Sequence, residues 1–407
     1  MKKVIKAYLQ LEEHVLLMIK AEFFIQLIGA AFFLILNIYL AKQGFSDPEI
    51  ANFISYRFLA VMLLAFPLGF YIKGKPLKPF FILGSLGVPT VAIALVLAVQ
   101  YGLYQYLPTL FILWGIVFTL FQVSSLPYVM RNTSVANQSH AISLNYATHS
   151  FGTILSGIII FGFGQFMREM DEGIILLFIA VIGFFGVYFL LKMKVDVVVP
   201  VNKGLQWKSY DWSLLLKAII PTIIIAIGAG LTIPFINLFF FHNFQIDSAG
   251  FAVIGGVASV LVAILALLVP NVKNKLGFKK GITYTQTTAV FALVALATTE
   301  FFASYWWAFP IAVLCFWVRT PLMNMAAPMT SEITMNYVGK KNQEMLSAIM
   351  AAIWSGSWFF SSQIFRHLKA EGLPYAYIFY ITAVLYGFGV FMYYLLVLDY
   401  EKRKKSG

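Results

Sequence analysis

What most limits this chain is a series of apolar runs, each about as long as a bilayer is thick. A helix rises about 1.5 Å per residue, so roughly 20 apolar residues cross the hydrocarbon. Such runs cover residues 21–41, 50–72, 79–100, 107–130, 141–166, 173–193, 214–241, 249–271, 281–303, 307–331, 344–365 and 375–398. In lipid every backbone polar group must be satisfied internally, and these runs are too long and too uniformly apolar for barrel strands. The expected fold class is an all-α membrane protein with twelve transmembrane helices. Composition agrees. The chain is 60% apolar and 11% charged, where a soluble domain carries about 45–50% apolar residues and roughly a quarter charged ones. That excludes a water-soluble enzyme and a disordered chain.

The net charge of +12 raises nucleic acid as a partner, but its placement argues otherwise. Alternate connections and the tail hold Lys2, Lys3, Lys6, Lys20, Lys73, Lys75, Lys78, Arg131, Lys192, Lys194, Lys203, Lys208, Lys217, Lys273, Lys275, Lys279, Lys280, Lys340, Lys341 and Lys402 to Lys405. The opposite connections hold only Lys42, Arg168, Arg366 and Lys369. Basic residues collect on the cytoplasmic side of membrane proteins. Both termini are therefore expected in the cytoplasm, with a bacterial inner membrane as the location and no nucleic-acid partner. Lys20 and Glu22 interrupt the first run and no small-residue cleavage site follows, so that run is expected to stay as an anchor. Cys315 is the single cysteine, and the histidines 14, 140, 149, 242 and 367 are scattered. No metal centre or cofactor is expected from such a set.

An internal repeat fixes the architecture. Residues 26–47 read QLIGAAFFLILNIYLAKQGFSD and residues 226–247 read AIGAGLTIPFINLFFFHNFQID, so Asn37 falls on Asn237 and Asp47 on Asp247. Gly29 and Gly228 match within one residue. With a small insertion Pro127 falls near Pro328, and Asn137-Gln138 near Asn342-Gln343. The expected domains are a six-helix bundle over 1–193, a cytoplasmic linker over 194–213, and a second six-helix bundle over 214–407. Two such halves are the body plan of a transporter that rocks about a midplane site.

Over nearly its full length the chain resembles the major facilitator superfamily. Asn37-Ile38-Tyr39-Leu40, ending the first span, is similar to a pattern common in bacterial members. After the second span Gly69 is followed by Lys73-Gly74-Lys75, with lysine where the family signature has aspartate. The second-half equivalent is Asn274-Lys275-Leu276-Gly277-Phe278-Lys279-Lys280, with asparagine at the acidic position. The resemblance implies a twelve-helix fold in which spans one, four, seven and ten line the pathway, helped by two, five, eight and eleven.

Ionisable groups at membrane depth cost about 2.5–3.5 kcal/mol on the insertion scale, so each needs a reason. Arg57 lies in the second span and Arg319 near the middle of the tenth; their repeat partners, Val257 and Thr119, are uncharged. Both arginines are expected to face water and to receive an anionic group of the substrate, against the alternative of bonding to carbonyls or a gating acid. Helical stripes add Gln26 and Asn37, Gln122, Asn145, Asn237, and Trp354 with Trp358 as substrate-binding candidates. Hydrogen bonding between helices is the alternative for the three asparagines, and lipid contact for the two tryptophans. Proton-coupling candidates are His149, Glu22 near the inner end of its span, and Glu300 near the outer end of the ninth.

The expected function is secondary active transport of a small organic solute, anionic or amphiphilic, by alternating access. Protons are the candidate coupling ion, and the lipid bilayer and a small molecule are the partners of an expected monomer. A lipid or drug flippase on the same scaffold is the alternative. A membrane-embedded enzyme is disfavoured, since no metalloprotease helix or other catalytic constellation occurs among the 17 acidic residues.

Overall fold

The structure is a computed structural model that describes residues 11–72, 74–134, 137–166, 171–194, 210–339 and 342–406. Most of the linker expected over 194–213 lies outside them, as do Lys2, Lys3, Lys6, Lys73, Arg168, Lys203, Lys208, Lys340 and Lys341. Helices account for nearly all the described residues, and none of these is in a strand. They form α1 Glu13–Lys42, α2 Asp47–Tyr71, α3 Lys78–Gln100, α4 Tyr104–Asn132, α5 His140–Phe166, α6 Glu172–Lys192 and α7 Trp212–Phe244. The run Ser248–Thr298 contains α8 and α9, divided where Gly277 leaves helical geometry at φ +69° and ψ 178°. Then come α10 Ala308–Val338, α11 Gln343–Ala370 and α12 Tyr375–Ser406. Eleven of these are long and apolar enough to cross a membrane. α11 has the length, but its serines and a tail of Arg366, His367 and Lys369 make it more polar.

All twelve apolar runs thus lie on helices, though the helices overshoot them. α1 begins at Glu13, eight residues before the apolar run. Glu22 is therefore not at a helix end, as the apolar run suggests, but about 13 Å inside one. The helices also carry acids that lie just outside the apolar runs. Asp47 and Glu49 open α2, and Glu172, buried, opens α6.

The chain divides into two compact units. The first comprises Met1–Ser46, Tyr56–Lys203 and Asp247–Gly256; the second comprises Asp47–Ser55, Gly204–Ile246 and Val257–Gly407. In the first, α1 and α5 touch backbone to backbone. A Cβ on Gly152 would lie 3.0 Å from the carbonyl carbon of Gln26, and the Ser156 hydroxyl donates to the Leu27 carbonyl at 2.9 Å. The second unit repeats this between α7 and α11. A Cβ on Gly230 would lie 2.7 Å from the Ser361 Cβ, and the Ser361 hydroxyl donates to the Ile227 carbonyl at 2.7 Å. Small residues let helix backbones approach where lipid offers no hydrophobic drive. The sequence repeat is thus also a repeat of hydrogen bonds.

Two further correspondences follow the repeat, with its small insertions. Gly74 and Gly277 both adopt φ +69°, in the loops after α2 and after α8, a left-handed geometry that glycine adopts without steric cost. Asn137 Nδ2 reaches Glu12 Oε1 at 3.4 Å just before α1. Its partner Asn342 accepts the backbone N–H of Asp211 at 3.0 Å just before α7.

Candidate functional site

The first unit buries a carboxylate. Glu22 is 2% exposed, and Ser125 Oγ on α4 lies 2.7 Å from its Oε2. The same Ser125 Oγ lies 2.9 Å from Asn145 Oδ1 on α5. Gln26, one turn along α1, hydrogen-bonds Glu22 as well, and Met18 Sδ lies 3.8 Å from the Ser125 hydroxyl. Glu22 has no cationic partner among the described residues. A serine hydroxyl carries one proton, so it cannot donate to both Glu22 and Asn145 as drawn. If Glu22 carries a proton, the chain closes: the carboxylic acid donates to Ser125, and Ser125 donates to Asn145. Glu22 and Gln26 on α1, Ser125 on α4 and Asn145 on α5 therefore form one cluster, and Ser125 is its hinge.

Arg57 lies in the same unit with different company. Its guanidinium carbon sits 4.5 Å from the Trp114 ring centroid, 5.2 Å from that of Phe118 and 5.7 Å from that of Phe58. It makes no ion pair among the described residues. The close approach is set by Gly115, where a Cβ would lie 2.4 Å from the Arg57 carbonyl oxygen. Of the remaining candidates, Asn37 is buried and Gln122 half-buried. His149 is exposed on the edge of the Asn145 face, with Thr153 Oγ1 3.4 Å from its Nδ1.

The second unit buries a base. Arg319 is 4% exposed, and its Nη2 donates to the Tyr386 hydroxyl on α12 at 2.9 Å. Its Nε is buried with no hydrogen-bond partner among the described residues. No carboxylate among the described residues pairs with it. Asn237 is buried, its Oδ1 accepting from the Leu238 N–H at 2.9 Å. Trp354 is exposed and Trp358 half-buried, close to Gly230 of α7. Glu300 is occupied otherwise: its carboxylate accepts the backbone N–H groups of Tyr375 and Ala376. That caps the start of α12, where acceptors are wanted. Tyr386 escaped the sequence reading because α12 is not among the helices the resemblance assigns to the pathway. Trp114 escaped because nothing in a linear pattern shows that an aromatic on α4 meets an arginine on α2.

Comparison with known proteins follows the same line. The sequence profile described as Major Facilitator Superfamily matches residues 21–362. No curated protein sequence matches the chain. Among solved structures, a bacterial homologue of the iron transporter ferroportin aligns at TM-score 0.72 and 12% identity, covering 94% of this chain and 98% of that one. The nucleoside transporter NupG, as a point mutant, aligns at 0.72 and 13%, with 94% and 99% covered. A bacterial homologue of the human lysosomal transporter Spinster aligns at 0.69 and 12%, with 96% and 97% covered. At such identities the likeness is one of fold.

Proposed function

The chain belongs to the Major Facilitator Superfamily, and from that premise we propose that it moves a small organic solute, anionic or amphiphilic, by alternating access, with Glu22 binding the coupling proton. A multi-pass membrane transporter is what the family and its structural neighbours have in common. Those neighbours are named for iron and for nucleosides, so the fold does not select a cargo and the argument turns to this chain's own residues.

The carrying observation is the Glu22–Ser125–Asn145 cluster. A carboxylate buried without a cation is costly unless it neutralises by taking up a proton. The single-proton arithmetic at Ser125 is met when it does so. Loss of that proton leaves a charge with too few donors, and the unit must then open or rearrange to solvate it. Such a group can link proton release to a change of state. Arg319, buried with one neutral acceptor, is the matching candidate for an anionic group of the solute. Asn37, Asn237, Gln26, Gln122, Trp354 and Trp358 are proposed to line the route. Residues 1–193 and 214–407 serve as the two halves and 194–213 as their connection. We place both termini in the cytoplasm on the lysine distribution, and the protein in a bacterial inner membrane as a monomer.

The experiment is solute uptake into proteoliposomes, using the best stabilising compound from a thermal-shift screen. A pH gradient should drive uptake by the native protein. Glu22→Gln should keep exchange at equal pH and lose the response to the gradient. A gradient response that survives Glu22→Gln and disappears in His149→Gln would transfer the coupling role to His149.

A further inference from the structure

Arg57 and Trp114 pose a problem that the coupling cluster does not solve. The guanidinium is held among three aromatic rings, and its Nε is buried without an acceptor. The indole on which it stacks is 1% exposed, and its Nε1–H is also buried without an acceptor. Two orphan donors thus belong to one stacked pair. One turn beyond Gly115 on α4, the hydroxyl of Thr119 donates to the Gly115 carbonyl at 2.6 Å. The rings stabilise the cation through their faces, yet they offer no lone pair to either N–H. A trapped water would need two to four polar partners, and the aromatic rings around the pair supply none. Buried unpartnered donors in a native structure call for an explanation, an unseen ligand among them.

We propose that Arg57 and Trp114 form an anion-binding site that takes the carboxylate of an aromatic or otherwise flat apolar solute. A carboxylate supplies two acceptor oxygens and one negative charge, and arginine presents its donors in a fork that matches them. The rings of Phe118 and Phe58 beside the guanidinium suit an apolar body attached to that carboxylate. The proposal narrows the solute class of the transport reading and rests on that reading for its biological use. The binding itself is measured without transport.

The test is the melting temperature of the full-length protein in detergent against sodium benzoate, with neutral benzamide as control and ionic strength held constant. Benzoate is expected to raise the melting temperature in a saturable way, and benzamide to leave it unchanged. Arg57→Gln should abolish the shift. Trp114→Phe, which keeps the ring and removes the N–H, should weaken apparent binding about tenfold. If a variant does not fold, saturable quenching of the native protein's tryptophan fluorescence by benzoate, absent with benzamide, reads the same site. Equal shifts from benzoate and benzamide, or a benzoate shift preserved in Arg57→Gln, would overturn the proposal. Either failure leaves proton coupling through Glu22 standing.

Discussion

The two halves repeat a scaffold and diverge in charge. At the position of Glu22 the second half has Thr222, whose hydroxyl meets Tyr393 at 2.8 Å. At the position of Arg319 the first half has Thr119, which bonds back to Gly115. Where Arg57 stands, the repeat has Val257. In each case the scaffold position is satisfied by a residue that needs no ion, so the fold does not require any of the three charges. One half has gained a buried acid and a caged base, the other a buried base. Duplication explains what the halves share, and function is the better account of what they do not.

The largest expected effect tests that division. Arg319→Met should cut transport about a hundredfold, equivalent to ~2.7 kcal/mol of barrier, while thermal stability holds or rises, since replacing buried charge by apolar volume is often neutral or stabilising. Tyr386→Phe, which strips the guanidinium of its acceptor, should instead lower stability by about 1–3 kcal/mol. Proteoliposome uptake and detergent melting read the two separately. Transport at native level in Arg319→Met would reduce that residue to scaffold.

Exchanging the halves at one position comes next. Gly115 and Cys315 are repeat partners, but only the first must clear an arginine backbone. Gly115→Cys should destabilise by about 2–3 kcal/mol through overpacking, with loss of the Arg57 cage. Cys315→Gly should cost only about 1 kcal/mol, the usual helix penalty of glycine. Equal costs in a detergent unfolding titration would mean that the close contact of α2 and α4 is not special to the first half.

These contrasts also mark where sequence suffices. Twelve apolar lengths and the 200-residue offset were enough for helix count, repeat and family, because membrane thickness and duplication both act along the chain. Helix ends were not. Polar residues that continue a helix beyond the lipid-length run leave no hydropathy signal, which is why Glu22 looked terminal. Partners were legible only in part: Asn145 and Gln26 stood on visible stripes, but that they converge with Ser125 on Glu22 depends on how α1, α4 and α5 pack. Glu300 shows the converse. An acid near a span stood out as titratable, and no linear pattern showed that its carboxylate also caps the start of α12.

Smaller effects separate coupling from packing. Glu22→Gln keeps the hydrogen bonds and should move stability by under about 1 kcal/mol, whereas Thr222→Val, losing a buried partner for Tyr393, should cost about 1 kcal/mol. Outside the spans, Glu12 faces competing influences. Burial raises its pKa, but the Ser134 N–H and Asn137 hold the charged form more strongly, so it ends below its ordinary value of 4.5. A lowered carboxylate stabilises the fold above its unfolded pKa and loses that contribution as the pH falls through the folded one. Melting temperatures should therefore drop below about pH 4.5 in the native protein more steeply than in Glu12→Gln. Parallel curves would remove Glu12 from the contact between the start of α1 and the loop after α4.

The finest test asks how equal the equal parts are. Ser156 and Ser361 donate to Leu27 and Ile227 carbonyls that lie one repeat apart, over 2.9 and 2.7 Å. Interhelical hydrogen bonds of this kind average about 0.6 kcal/mol in membrane proteins. Ser156→Ala and Ser361→Ala should therefore each cost about that much, and the double variant about 1.2 kcal/mol, since the two sites share no partner and distant effects add. Both alanines leave the helices free to stay at their close distance, because Gly152 and Gly230 hold the backbones together independently of the hydroxyls. A cost confined to one half would mean that the other has come to rely on shape alone, and that the repeat has diverged in its packing as well as in its charge.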